Sequence, residues 1–178
     1  MDATRRLLLQ TRRPHDLDTL VIAGVLGKAL EAGRTPLIRG LAEARFQKLV
    51  NEYFVDVALE NGASGCGCDG DEFDDLLQLL LDHRSQASET SAWLAYAVAS
   101  AAMGENHLWQ DMGLPSRRHL SNFLDSRFGP LAALNTGDMK WKKFFYRQLC
   151  QRAGVPVCKS PHCGDCCDYA VCFGPEDA

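Results

Sequence analysis

Isoleucine occurs twice and valine nine times in 178 residues, against 24 leucines and 20 alanines. Strand formers are too scarce for a sheet protein, so the composition predicts an all-α fold. Long apolar runs are also missing. The opening MDATRRLLLQTRR sets only three consecutive leucines between arginines, far short of a signal-peptide core or a membrane span. The chain is therefore expected in the cytoplasm, away from membranes, where thiols stay reduced. No nucleotide fingerprint, nucleophile elbow, phosphate loop or H-E-x-x-H motif is present, and no enzyme activity is expected from those sources. A net charge of −4 without an aromatic-basic signature argues against nucleic acid as a partner. Neither a repeat nor a domain linker interrupts the chain, which is read as one domain. A chain this long buries about 70% of its unfolded surface and requires no disulfide scaffold.

Cysteine, by contrast, is concentrated. Five of the eight cysteines, Cys158, Cys163, Cys166, Cys167 and Cys172, fall between residues 158 and 172. Four of them read C-x4-C-x2-C-x5-C, with Cys158, Cys163, Cys166 and Cys172 as ligands. Thiolates are soft ligands for zinc or iron–sulfur clusters. Structural zinc usually sits between two C-x2-4-C knuckles, and only Cys163 and Cys166 make one here. The opening C-x4-C-x2-C instead matches a loop that wraps a plant-type iron–sulfur cluster, although its fourth cysteine follows sooner than in that class. The spacing favours a cluster, with zinc and disulfides as the alternatives. Pro156 and Pro161 keep this loop out of a helix and Gly164 allows a tight turn. Val157, Tyr169, Val171 and Phe173 are available to screen the centre from water. Adjacent Cys166 and Cys167 cannot both point inward from an extended backbone, which leaves Cys167 as a spare.

The rest reads as helices. Asp16 to Ala32 is an apolar run capped by Asp16 and ended by Gly33. Thr35 and Pro36 are expected to start a second helix, with Ala42, Phe46, Leu49, Val50, Tyr53 and Val57 on its inner face. The glycine-rich NGASGCGCDG from Asn61 to Gly70 reads as a loop, and its Cys66 and Cys68 as an exposed pair or a weak accessory site. A helix from Asp71 buries Phe73, Leu76, Leu77, Leu80 and Leu81. Thr90 or Ser91 is expected to cap the next, with Trp93, Tyr96, Ala97, Ser100 and Ala101 on one face. After a polar connector, further helices begin at Pro115–Ser116 and at Pro130. The last, Met139 to Ala153, turns Trp141, Phe144, Phe145 and Leu149 inward. Residues 1–153 are thus a helical bundle and 154–178 a cysteine-rich, cluster-binding tail.

Three stretches resemble a known family: the C-x4-C-x2-C-x5-C motif closing in CFGPE, MKWKKFFYRQLC at Met139 to Cys150, and GENHLWQDMGL at Gly104 to Leu114. Together they are similar to NifQ, strongly over the C-terminal half and more weakly at Leu76 to Ser85. The resemblance implies a bacterial molybdenum–iron–sulfur cluster carrier that donates molybdenum to the iron–molybdenum cofactor of nitrogenase. Its expected partners are molybdate or a molybdenum supplier, the nitrogenase iron protein and the cofactor scaffold complex. An electron-transfer protein with an ordinary iron–sulfur cluster and a zinc-stabilised interaction protein are the competing functions.

Several other residues are weighed beside the motif. His107 is a candidate accessory ligand or hydrogen-bond donor to the cluster, against a structural role. His162, directly before Cys163, can ligate, hydrogen-bond a sulfide or do neither. Cys150 is either a metal-capturing thiolate or a small core residue. From Asp138 to Lys159 six basic residues face one acidic residue, a local +5 that leaves −9 for the remainder. Lys140, Lys143 and Arg147 share one side of that helix and can receive molybdate, offset thiolates or dock an acidic partner, or be a solvated face.

Overall fold

The computed structural model describes residues 2–63, 70–155 and 163–176. Among them the backbone forms ten α-helices and no strand, only an isolated bridge between Thr11 and Phe54. Helix α1 (Ala3–Leu9) packs along α2 (Leu17–Glu31), α2 packs on α5 (Glu89–Ala102), and α4 (Gly70–Asp82) lies against α5. Ten of the fifteen residues of α2 and eleven of the fourteen of α5 are buried. Both are therefore interior helices rather than amphipathic covers. For α2 the apolar run announces this. For α5 the expected single face is wrong, because its many alanines present little bulk on any side and let neighbours close in all round.

Close approach at the centre depends on glycine. A methyl group on Gly24 of α2 would run into the backbone carbonyl of Met112, and one on Gly27 into Thr4 of α1. Gly113, at φ +64°, faces Gly24 from the other side. Gly24→Ala is expected to lower stability by about 2 kcal/mol through this overpacking, read as a lower urea midpoint. An unchanged midpoint would show that the helices separate freely at this crossing.

Asp16 caps α2 as expected, accepting the Asp18 N–H, and Gly33 follows its end at φ +62°. The second helix does not begin at Thr35–Pro36. Helix α3 spans Glu43–Tyr53, starting from Ala42, and Val57 lies beyond its end. Residues 34–41 find their hydrogen bonds elsewhere. The side chain of Asn61, buried at 1% exposure, accepts from the Ile38 N–H (2.7 Å) and donates to the carbonyls of Ile38 (2.8 Å) and Leu41 (2.7 Å). Leu37 N–H donates to the Asn61 carbonyl, and Arg39 N–H to Ser100 Oγ. With its backbone satisfied from outside, this stretch delivers Ile38 and Leu41 to the core without coiling.

Helix α4 buries Phe73, Leu76, Leu79 and Leu80, with Leu77 and Leu81 only partly covered. The cap of α5 is Ser88, not Thr90 or Ser91. Ser88 Oγ accepts the Ser91 N–H while Ser91 Oγ accepts the Ser88 N–H, a reciprocal capping box. Within the connector, α6 (Leu108–Asp111) forms one turn, followed by α7 (Arg117–Arg127) and α8 (Gly129–Ala132). Helix α9 (Trp141–Ala153) buries Trp141, Phe144 and Phe145, packs on α4, and is tied to it by Tyr146–Glu72 and Arg152–Asp82 hydrogen bonds. It stops at Gly154, in the left-handed conformation at φ +68°, where Val155 N–H returns to the Cys150 carbonyl. It is not the last helix. A 3-10 turn at Cys163–Asp165 leads to α10 (Tyr169–Phe173), beyond the reach of the two prolines and supported by Tyr169 and Phe173 stacked with centroids 4.6 Å apart. No helix among the described residues is long and apolar enough to cross a membrane.

Candidate functional site

The cysteine segment returns to the start of α9. Lys140 N–H donates to the Cys172 carbonyl at 2.8 Å, and Cys163, Cys172 and Phe173 pack, half-buried, against the apolar core. Cys163 sits in the 3-10 turn and Cys172 in the penultimate position of α10. Cys166 closes the turn, its N–H bonded to the Cys163 carbonyl and its own carbonyl accepting from Tyr169. A guanidinium N–H of Arg147 donates to Cys163 Sγ at 3.2 Å. That cation lies beside a sulfur where thiolate ligation would concentrate negative charge.

Among the described residues no three or more His, Cys, Asp or Glu side chains are grouped as a ready metal site. Cys158 and His162 lie outside the described residues, as do Cys66 and Cys68. The donor chemistry of the remaining set nevertheless suits a thiophilic centre: Cys163, Cys166 and Cys172 are all free thiols, half-exposed and on neighbouring turns. Cys167 is exposed and directed to Asp168, with Sγ 3.8 Å from its carboxylate. Cys150 is half-buried on α9. Of the expected apolar screen, Val157 lies outside the described residues, Tyr169 and Val171 are about half exposed, and Phe173 reaches the core.

The basic residues divide between two cavities. Arg147 lines one of about 380 Å³ together with Cys163, Phe173 and Gln151. Lys140 and Lys143 line another of about 500 Å³, where they meet His107, Lys142, Val171 and Glu176. His107 precedes α6, so the connector does fold over the end of the cysteine segment.

What holds the connector there is an ion pair that spacing alone did not reveal. Lys142 Nζ lies 2.5 Å from Asp111 Oδ2 and donates to the Gly104 carbonyl at 2.7 Å, with both side chains largely buried. Asp111 also accepts from the backbone and side-chain N–H groups of Asn106. Gly104 permits the approach, since a methyl group there would stand 2.5 Å from the carboxylate. Lys142 thus anchors α9, leaving Lys140 and Lys143 as the cations that face the cavity.

Fold and site define an all-α protein whose cysteine-rich C-terminal segment docks on a basic helix start. The sequence pattern of the NifQ family matches residues 21–174, and the chain belongs to that family. Protein NifQ of Azotobacter vinelandii is 38% identical over 155 residues, which cover 79% of this chain and 80% of that protein. The NifQ homolog of Sinorhizobium fredii is 36% identical over 167 residues, 89% of this chain and 73% of the relative. Protein NifQ of Rhodobacter capsulatus is 45% identical over 98 residues, 55% of this chain and 54% of that protein. No solved structure matches the chain. Family membership gives it a role in nitrogen fixation and in the biosynthesis of the iron–molybdenum cofactor.

Proposed function

We propose that the chain is a metal carrier, not an enzyme, which holds a molybdenum-containing iron–sulfur cluster on Cys158, Cys163, Cys166 and Cys172 and donates its molybdenum to cofactor assembly. The observation that carries this reading is the docking of the segment bearing Cys163 and Cys172 against α9, with Lys140 N–H on the Cys172 carbonyl and Arg147 donating to the Cys163 sulfur. Soft sulfur ligands and a nearby cation suit a centre that is rich in negative charge. When bound, the cluster supplies the sulfur environment that makes molybdenum thiophilic. The chain's own part is to ligate, to offset charge and to attract the oxyanion through Lys140, Lys143 and Arg147. Delivery would take place in the cytoplasm, to the cofactor scaffold complex in the presence of the nitrogenase iron protein.

Protein prepared without oxygen is expected to be brown and to contain iron, acid-labile sulfide and molybdenum. Cys158→Ala, Cys163→Ala, Cys166→Ala and Cys172→Ala should each lose colour and metal, whereas replacing Cys66 and Cys68 together should not. After loading with labelled molybdate and removal of free anion, label should pass to the scaffold complex. A colourless protein with one zinc per chain, or label that moves only through free molybdate, would defeat the proposal.

A further inference from the structure

We infer that the cavity at the start of α9 is a binding site for a tetrahedral oxyanion, and that Glu176 occupies it as an internal carboxylate which the incoming anion displaces. Two independent features meet there. The first is uncancelled positive charge. Among the described residues neither Lys140 nor Lys143 has an ion-pair partner, and α9 begins with no side-chain cap and no acidic residue in its first turn. The positive end of a thirteen-residue helix therefore adds to two free ammonium groups. Lys142 does not contribute, because Asp111 neutralises it.

The second is the carboxylate itself. The Glu176 side chain is 3% exposed, yet its Oε2 has no hydrogen-bond partner. Among the described residues its Oε1 faces His107 Nδ1, at 4.0 Å. A carboxylate taken out of water without donors is normally disfavoured. Here the field of the lysines and the helix end holds it without a hydrogen bond to Oε2, and an anion with more oxygens and more charge engages the lysine N–H donors that Glu176 leaves unused. Glu105 also lines the cavity but is exposed, so water screens it.

Displacement would have a consequence for the cysteines. Glu176 ends the CFGPE stretch that begins at Cys172, whose carbonyl receives the Lys140 N–H. Filling the cavity therefore releases the tail that follows α10 and alters the hold on Cys172. Naming molybdate as the natural anion rests on the donor reading; the site itself does not.

The test is equilibrium dialysis of labelled molybdate against the full chain, with sulfate as competitor. Glu176→Gln should bind molybdate about tenfold more tightly, since it removes the competing charge while keeping the shape. Lys140→Ala combined with Lys143→Ala should bind about tenfold more weakly, and Lys48→Ala, on the exposed side of α3 and outside the cavity, should bind as the parent does. Amide exchange of residues 171–176 should quicken when molybdate is added to the parent and already be quick in Glu176→Gln. Competition by sulfate supports the site as one for tetrahedral dianions in general. Glu176→Gln binding no better than the parent, no binding to either protein, or indifference to the lysine substitutions overturns the inference. Cys163→Ala separates the two proposals: the cavity should still bind molybdate there although cluster-held molybdenum is lost. If transfer to the scaffold fails while this reversible binding persists, only the donor reading falls.

Discussion

Asn61→Ala is expected to cost about 4 kcal/mol of stability, because it strips the partners from three buried backbone groups at once, each worth roughly 1–3 kcal/mol when left unsatisfied. These are the Ile38 N–H and the carbonyls of Ile38 and Leu41. None can recover by coiling, since Gly40 at φ +76° and the route of residues 34–41 prevent a helix there. The residue's own backbone stays engaged, with its N–H on Glu43 and its carbonyl on Leu37. Asn61→Asp should be nearly as damaging, for a carboxylate cannot donate to the two carbonyls and is itself buried. Urea denaturation followed by circular dichroism measures both. A loss under 1 kcal/mol for Asn61→Ala would mean that water replaces the amide.

The second large effect is expected at the Asp111–Lys142 pair. Asp111→Ala should destabilise by about 3–5 kcal/mol, since it leaves a mostly buried ammonium without its counter-charge. The Asn106 N–H groups lose their acceptor in the same step. Combining Asp111→Ala with Lys142→Met removes the stranded charge and should recover a good part of the loss, although either single change is harmful. A double variant no more stable than Asp111→Ala alone would show that the hydrogen bonds to Asn106 and Gly104 dominate. Because this pair ties the connector to α9, Asp111→Ala should also weaken oxyanion binding in the adjoining cavity even under conditions where the chain remains folded.

Both effects fall on residues that a reading of the sequence passes over, and for the same physical reason. Helices announce themselves through local spacing and caps, which is why α2, with Asp16 before it and Gly33 after, is read to within a residue. The motif cysteines are likewise local. Asn61 opens a glycine-rich stretch and looks like loop, yet the partners of its side chain lie 20 and 23 residues upstream, where no periodicity points to it. Asp111 and Lys142 sit in stretches whose character is plain, a polar connector and a basic helix, but their pairing is tertiary. The cap of α5 was missed on subtler grounds. SETS offers several capping residues in a row, and only the reciprocal bonding of Ser88 and Ser91, three apart, selects one. Glu176 was illegible for a further reason: a glutamate near the C-terminus ordinarily stands in water, and its burial depends on the cavity beneath it.

Every fully buried apolar side chain described lies ahead of the cysteine segment, and among the described residues of that segment Cys163, Cys172 and Phe173 touch the core, each partly exposed. A centre held by these cysteines would therefore contribute little to the free energy that keeps the bundle folded. In a zinc finger the two quantities are one, so surrendering the ion means unfolding. On the proposed carrier reading they would be separable, and handing over cargo would be governed by the difference in affinity between giver and receiver alone. A receiver only tenfold stronger, about 1.4 kcal/mol, would then suffice to draw the equilibrium its way, and the emptied chain would remain folded and competent for another round.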